Sequence, residues 1–189
     1  PAMKIAIGSD ERTHLTDCVV EEVQKRGHTV ALFGPLADRQ EYWPAVAQQV
    51  GERVVAGEAD EGILFCWTGT GVCLAANKLP GIRAALCADA ETARGARLWN
   101  NANVLCLSIR LTAEVVARDI LDSWFGTQHQ PNGEDNRCLA QLGEIEEKYL
   151  RKSRSCASLL EAKPPQGKPE KCEREGEQCA DFAPDGANA

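Results

Sequence analysis

The sequence predicts an α/β fold in which a five-stranded parallel sheet is covered by helices on both faces. Three observations predict it. Short runs of Val, Ile, Leu and Ala recur between stretches with helical apolar spacing. Those runs are continuously apolar instead of alternating, the pattern of strands buried on both sides. Turn-forming Gly, Pro, Asn or Asp stands at most junctions, so strand and helix alternate along the chain.

Lys4–Ser9 reads as the first strand. Thr13 is a cap for a helix whose Leu15, Val19 and Val23 recur every four residues before Gly27 ends it. Thr29–Phe33 follows as the second strand, then a turn-rich stretch, Gly34–Tyr42. Pro44 suits the first turn of a helix that aligns Val46, Val50 and Val54 and closes near Gly57. Gly62–Cys66 is the third strand. A short helix around Val72–Lys78, a strand Ile82–Cys87, a helix Ala90–Trp99, a strand Val104–Leu107 and a helix from about Thr112 to Phe125 continue the rhythm. Thr127–Asp135 is a polar loop, and Glu134–Leu150 a charged helix with Leu139, Leu142, Ile145 and Tyr149 on one side. Residues 1–150 therefore form one domain, and the Pro-, Glu- and Lys-rich tail 151–189 is expected to be disordered.

The formal charge is −7, and the tail, with seven basic and seven acidic residues, contributes none of it. An acidic domain argues against nucleic acid as a partner. No run approaches the roughly 18 apolar residues of a membrane span, and PAMKIAIGSD enters a strand pattern directly, so a cytoplasmic protein with no membrane partner is expected. The nine cysteines are odd in number and include no Cys-x-x-Cys. Cys18, Cys66, Cys73, Cys87 and Cys106 sit in apolar segments, as reduced core residues do. Cys156, Cys172 and Cys179 are too loosely spaced for a metal knuckle, and neither metal nor organic cofactor is expected.

Parallel sheets bind ligands at the carboxyl ends of their strands, which gathers Ser9–Glu11, Cys66–Gly71 and Asp89. The stretch from Gly62 to Asn103 is the most informative among these. There a buried-strand pattern ends in Cys66 and runs into the turn Thr68-Gly69-Thr70-Gly71 ahead of a helix. Backbone N–H groups of such a turn can hold an oxyanion, and a thiol beside them, ordinarily titrating near 8.5, can move a proton. The bland alternative is a strand-end cysteine of no chemical role.

The run GILFCWTGTGVCLAANKLPGIRAALCADAETARGARLWNNANVLCLSIR resembles the type B ribose-5-phosphate isomerase family, which includes the galactose-6-phosphate isomerase subunits. The resemblance spans roughly residues 3–150 and rests on GTG followed by AANK, GIRAA, AR and NNANVL. It implies a Rossmann-like αβα fold and a homodimer or dimer of dimers with active sites shared between subunits. It also implies aldose–ketose isomerisation of a sugar phosphate, such as ribose 5-phosphate and ribulose 5-phosphate, through an enediolate without a cofactor. Cys66 then matches the base, and Gly69, Thr70 and Gly71 the turn that holds the enediolate oxygen. Thr68 matches a hydroxyl that assists ring opening or holds substrate, its alternative being a turn hydroxyl. Asp10 matches a contact to sugar hydroxyls, or else caps the next helix. Asn100 and Arg110 match substrate- and phosphate-contacting residues.

Three departures accompany these matches. Glu11 and Trp99 stand where the family carries histidines, and His14, His28 and His129 are expected to be structural or exposed. In TQHQPNGEDNRCLAQL, where the family has an Arg/His clamp for the phosphate of the neighbouring subunit, Arg137 is retained while Gly133 and Glu134 replace the first Arg and His. A one-residue shift would put Cys138 at the retained arginine's place. Glu11, Glu134 and Asp135 oppose a dianion, and Trp67 and Trp99 offer aromatic faces to a sugar. The alternatives to a phosphorylated substrate are a different or unphosphorylated sugar, or a catalytically silent sugar-binding protein.

Overall fold

Five apolar runs pair into one parallel sheet in the computed structural model, which describes residues 1–161, with side chains through residue 150. The strands are β1 (Lys4–Ser9), β2 (Thr29–Phe33), β3 (Glu61–Cys66), β4 (Ala84–Leu86) and β5 (Val104–Ser108). Their order across the sheet is β2-β1-β3-β5-β4. The helices are α1 (His14–Lys25), α2 (Trp43–Val55), α3 (Thr70–Ala76), α4 (Ala90–Asn100), α5 (Glu114–Gly126) and α6 (Gly133–Glu161). By internal contacts the chain divides into two units, Pro1–Lys148, which holds the sheet, and Tyr149–Ala189, whose described part is the end of α6.

Local sequence explains the helix starts. Thr13 and Thr16 form a reciprocal capping box ahead of α1, and Pro44 occupies the first turn of α2, where its missing N–H costs nothing. Asp89 accepts from the N–H and the hydroxyl of Thr92 at 2.7 and 2.9 Å. It is thus the cap of α4, beyond the carboxyl end of β4.

Because successive strand residues point to opposite faces, the sheet feeds two cores. Ile5, Ile7, Ile63, Phe65, Leu105 and Leu107 pack with α1, α4 and α5. Ala6, Leu64, Cys66, Val104 and Cys106 pack with α2 and α3. The result is the three-layer αβα arrangement expected from the alternation. Helices return the chain from the carboxyl edge of the sheet to its amino edge, so the start of each helix and its end lie at opposite edges.

Two boundaries differ from the expectation. The fourth strand is confined to Ala84–Leu86; at its start Arg83 donates its N–H to the Asn103 side chain at 2.8 Å and Ile82 to the Leu79 carbonyl at 3.1 Å instead of to a ladder partner. The last helix does not stop at Leu150 but runs on to Glu161, so the first part of the expected disordered tail is helical. The rest of that tail, with Cys172 and Cys179, lies outside the described residues, as does the side chain of Cys156. Among the described residues no helix is long and apolar enough to cross a membrane.

Candidate active site

Strand register brings the first group of candidates together. Ser9 pairs with Phe65 and Cys66 with Ser108, so Asp10, Cys66 and the Ile109–Arg110 segment leave neighbouring strands at the carboxyl edge. The chain proceeds from β1 towards β2 on one side and from β3 towards β4 on the other. The opening between β1 and β3 is therefore the crevice where open α/β sheets bind ligands.

The turn after Cys66 is tied down by its own backbone. The Cys66 carbonyl accepts from the N–H of Gly69 and of Ile109, both at 3.1 Å, and the Trp67 carbonyl accepts from the N–H of Arg110 at 3.0 Å and the Ser108 hydroxyl at 2.9 Å. Gly69 sits at φ +75°, and a Cβ there would come within 2.5 Å of Leu86 Cδ1 and 3.0 Å of the Leu107 backbone. Only glycine fits such a position. The bond from Gly69 to Cys66 corrects the expectation that its amide faces a ligand: Gly69 shapes the turn. Thr70 and Gly71, the first residues of α3, have N–H groups with no intrahelical acceptor.

The Cys66 side chain is 5 % exposed and belongs to the face packed by α2 and α3. Thr68 and Thr70 share a hydroxyl hydrogen bond of 2.6 Å at the exposed mouth of the turn. Half-buried Asp10 has its carboxyl pushed above the usual range, chiefly by burial and further by the charge of exposed Glu11. Trp67 projects outward, 58 % exposed. Arg110 is exposed and forms no ion pair among the described residues, leaving its charge available to an anion.

Two nearby groups carry no signal in the motif itself. Ser108 orients the turn through Trp67, and Trp43, opening α2, lies with its indole face 3.1 Å from where a Cβ on Gly71 would stand. The tryptophan beside Pro44 is the only hint of the second, because a large aromatic at an exposed helix start needs some surface to cover.

Other candidates are not beside Cys66 within the same chain. Trp99 and Asn100 end α4, which starts beyond β4 and returns to the amino edge before β5, so topology puts them at the opposite end of the sheet. Trp99 folds over its own helix at Gly95, with the Arg94 guanidinium 5.6 Å from its ring. Thr127 and His129 are fixed at the same edge: the Thr127 carbonyl accepts from Arg97 at 3.4 Å, and His129 Nδ1 lies 2.8 Å from the Leu98 carbonyl. Arg137 follows in the first turns of α6, exposed and likewise without an ion pair among the described residues. Asn132 caps that helix, accepting from the N–H of Glu134 at 3.0 Å and of Asp135 at 2.9 Å. Glu134 and Asp135 thus complement a helix start, while Gly133 and exposed Cys138 flank Arg137.

No histidine substitutes for the expected pair. His14 meets Glu114 at 2.9 Å, and His28 accepts from the Met3 N–H at 3.1 Å and packs on Phe125. Behind the turn, Cys73 has its thiol lowered to about 7 by a hydrogen bond with Cys106, helped by the Leu86 backbone and Asn77. Burial pushes Cys106 well up and Cys87 up to about 12. Asn77 binds the carbonyls of Cys73 and Ala84 and the Ala84 N–H, so it fastens α3 to β4. An open depression of about 690 Å³ lies elsewhere, between β2 and α2, where Arg53 already pairs with Glu58 and covers Phe33.

The sequence model of the Ribose/Galactose Isomerase family matches residues 5–142. The chain is similar to the galactose-6-phosphate isomerase subunit LacB of Clostridium acetobutylicum, at 34% identity over 76% of this chain and 83% of that protein. It is similar to ribose-5-phosphate isomerase B of Escherichia coli, at 36% identity over 72% of this chain and 93% of the relative. Among solved structures, ribose-5-phosphate isomerase B of Clostridium thermocellum superposes with a TM-score of 0.72 at 40% identity, covering 78% of this chain and 99% of that one.

Proposed function

The chain belongs to the ribose/galactose isomerase family and is an aldose–ketose isomerase; from that premise we propose that it interconverts a short sugar phosphate of the ribose 5-phosphate type at the Cys66 turn. The observation that carries this reading is the turn itself, a thiol and two unengaged backbone N–H groups held on one rigid loop.

Shifting a carbonyl between C1 and C2 needs one base and a home for the negative oxygen that develops. Cys66 as thiolate takes the proton from the carbon beside the carbonyl and returns it to the neighbouring carbon. The N–H groups of Thr70 and Gly71 stabilise the enediolate oxygen, with Gly69 keeping them in place. Thr68 and Thr70 relay protons among the sugar oxygens, and Asp10 holds the sugar hydroxyls. Trp67 and Trp43 border the sugar, and Glu11, where the family carries histidine, stands at the rim.

Arg110 provides one cation on the side of Cys66. Trp99, Asn100 and Arg137 serve through a second copy of the chain, because α4 carries Trp99 and Asn100 to the edge opposite their own Cys66 and Arg137, on α6, follows the Thr127 segment fixed at that same edge. A homodimer, alone or paired into a dimer of dimers, is the assembly that reunites the two sets. Exposed Trp67, Leu74 and Leu111 around the turn suit burial against a second copy. We further assign the protein to the cytoplasm and its working domain to residues 1–150, with 151–189 as an appendage.

The reading is tested in heavy water with ribose 5-phosphate and a panel of tetrose, pentose and hexose phosphates and the free sugars. Solvent deuterium should enter C1 or C2 of at least one member, and Cys66→Ala should reduce exchange by about 10²–10⁴-fold while melting within a few degrees of the parent. Binding without exchange would leave a silent sugar-binding protein instead.

A further inference from the structure

A buried cluster at the amino edge has no part in the chemistry just described. Glu61, the first residue of β3, is 5 % exposed, and its carboxylate meets two groups. Arg97 of α4 reaches Oε1 at 2.5 Å, and the indole N–H of fully buried Trp124 in α5 donates to Oε2 at 2.6 Å. The guanidinium also lies 5.1 Å from the Trp124 ring centre and donates to the carbonyls of Ala102 and Thr127. One arginine therefore joins β3, the ends of α4 and α5, the turn into β5 and the start of the segment leading to α6.

Parts of what this arginine joins lead to substrate-facing candidates. Trp99 and Asn100 follow Arg97 on the same helix, in its last turn, and Thr127 begins the segment that leads to Arg137. A buried ion pair is a costly way to gain stability, since desolvation offsets much of its attraction. Here burial raises the proton affinity of Glu61 despite both partners. What such a pair does supply is a fixed direction, because each partner satisfies the other in one geometry only. Resting on the shared-site reading above, we propose that Glu61, Arg97 and Trp124 are positioning residues that present Asn100, Trp99 and Arg137 to the Cys66 turn of a neighbouring chain.

Mixed dimers test this. Co-expression with two affinity tags isolates pairs in which one chain carries Cys66→Ala and the other Glu61→Gln. The site uniting the second chain's intact Cys66 with the first chain's intact amino edge has no defect. The Glu61→Gln homodimer should show KM for ribose 5-phosphate raised about tenfold with kcat within threefold. The mixed dimer should recover about half of the parental kcat at the parental KM. Trp124→Phe, which keeps the ring and removes one donor to Glu61, provides the same test with a smaller KM shift should Glu61→Gln fail to fold. The control pair joins Cys66→Ala with Asn100→Ala. If the control complements while the Glu61→Gln and Trp124→Phe pairs keep the mutant KM, the cluster is structural only and the inference falls. If the control also fails, the shared-site reading falls first and takes the inference with it.

Discussion

At the carboxyl edge the chain shapes its turn chiefly with backbone bonds, helped by the Ser108 hydroxyl, and leaves the side chains of Trp67, Thr68 and Arg110 exposed; at the amino edge a largely buried trio of side chains does the shaping. The difference teaches where each edge is vulnerable. A turn held by main-chain groups depends on the one residue whose conformation permits it and tolerates change around it. An edge held by Glu61, Arg97 and Trp124 depends on every partner being present.

The largest effect expected from this contrast is on stability at the amino edge. Trp124→Ala removes a fully buried ring and one of the two partners of the Glu61 carboxylate, and should cost about 3–5 kcal/mol, read as a lower urea midpoint at unchanged slope. Gly69→Ala comes next. Forcing a Cβ into φ +75° against Leu86 and the Leu107 backbone should cost roughly 1–3 kcal/mol and remove most isomerase activity, which separates the turn from its supporting core. A variant that kept full activity would erase the contrast between the two edges. Arg110→Gln is milder: the guanidinium is exposed, so KM for a phosphorylated sugar should rise about three- to tenfold, with free sugars unaffected. Finally, the pattern of thiol reactivity should sharpen the picture without changing stability. Cys73, whose thiolate forms above about pH 7, should be carboxamidomethylated by iodoacetamide at a rate that climbs through that pH, while Cys87 and Cys106 stay unmodified in the folded protein. Peptide mass spectrometry after timed quenching reads all three sites.

Sequence made one edge far more legible than the other. The Cys66 turn is local: its cysteine, glycines and threonines lie within a few residues, and their order alone suggests a strand, a tight turn and a helix start. Even there the engagement of the Gly69 amide was hidden, since its bond to the Cys66 carbonyl follows from dihedral angles and not from composition. The five strands were readable because their runs are mostly apolar, the inner three buried on both faces and the outer two, β2 and β4, in part. Two ends differ from that reading: β4 begins only at Ala84, the Arg83 N–H going to the Asn103 side chain, and α6 runs past Leu150 to Glu161 through residues that a helix accommodates. The Glu61–Trp124 bond spans 63 residues and leaves no periodic trace. Nor did the chain's linear order reveal that Asn100 and Cys66 lie at opposite edges, which requires following α4 back across the sheet.

The anchoring of the Cys66 and Trp67 carbonyls to Ser108, Ile109 and Arg110 at the end of β5 has one more consequence. A loop already braced on its own framework has little freedom left to surrender when an anion settles on it. Enediolate mimics such as hydroxamates of sugar acids should therefore bind with little ordering penalty, and filled and empty crystals should overlay at this loop within coordinate error.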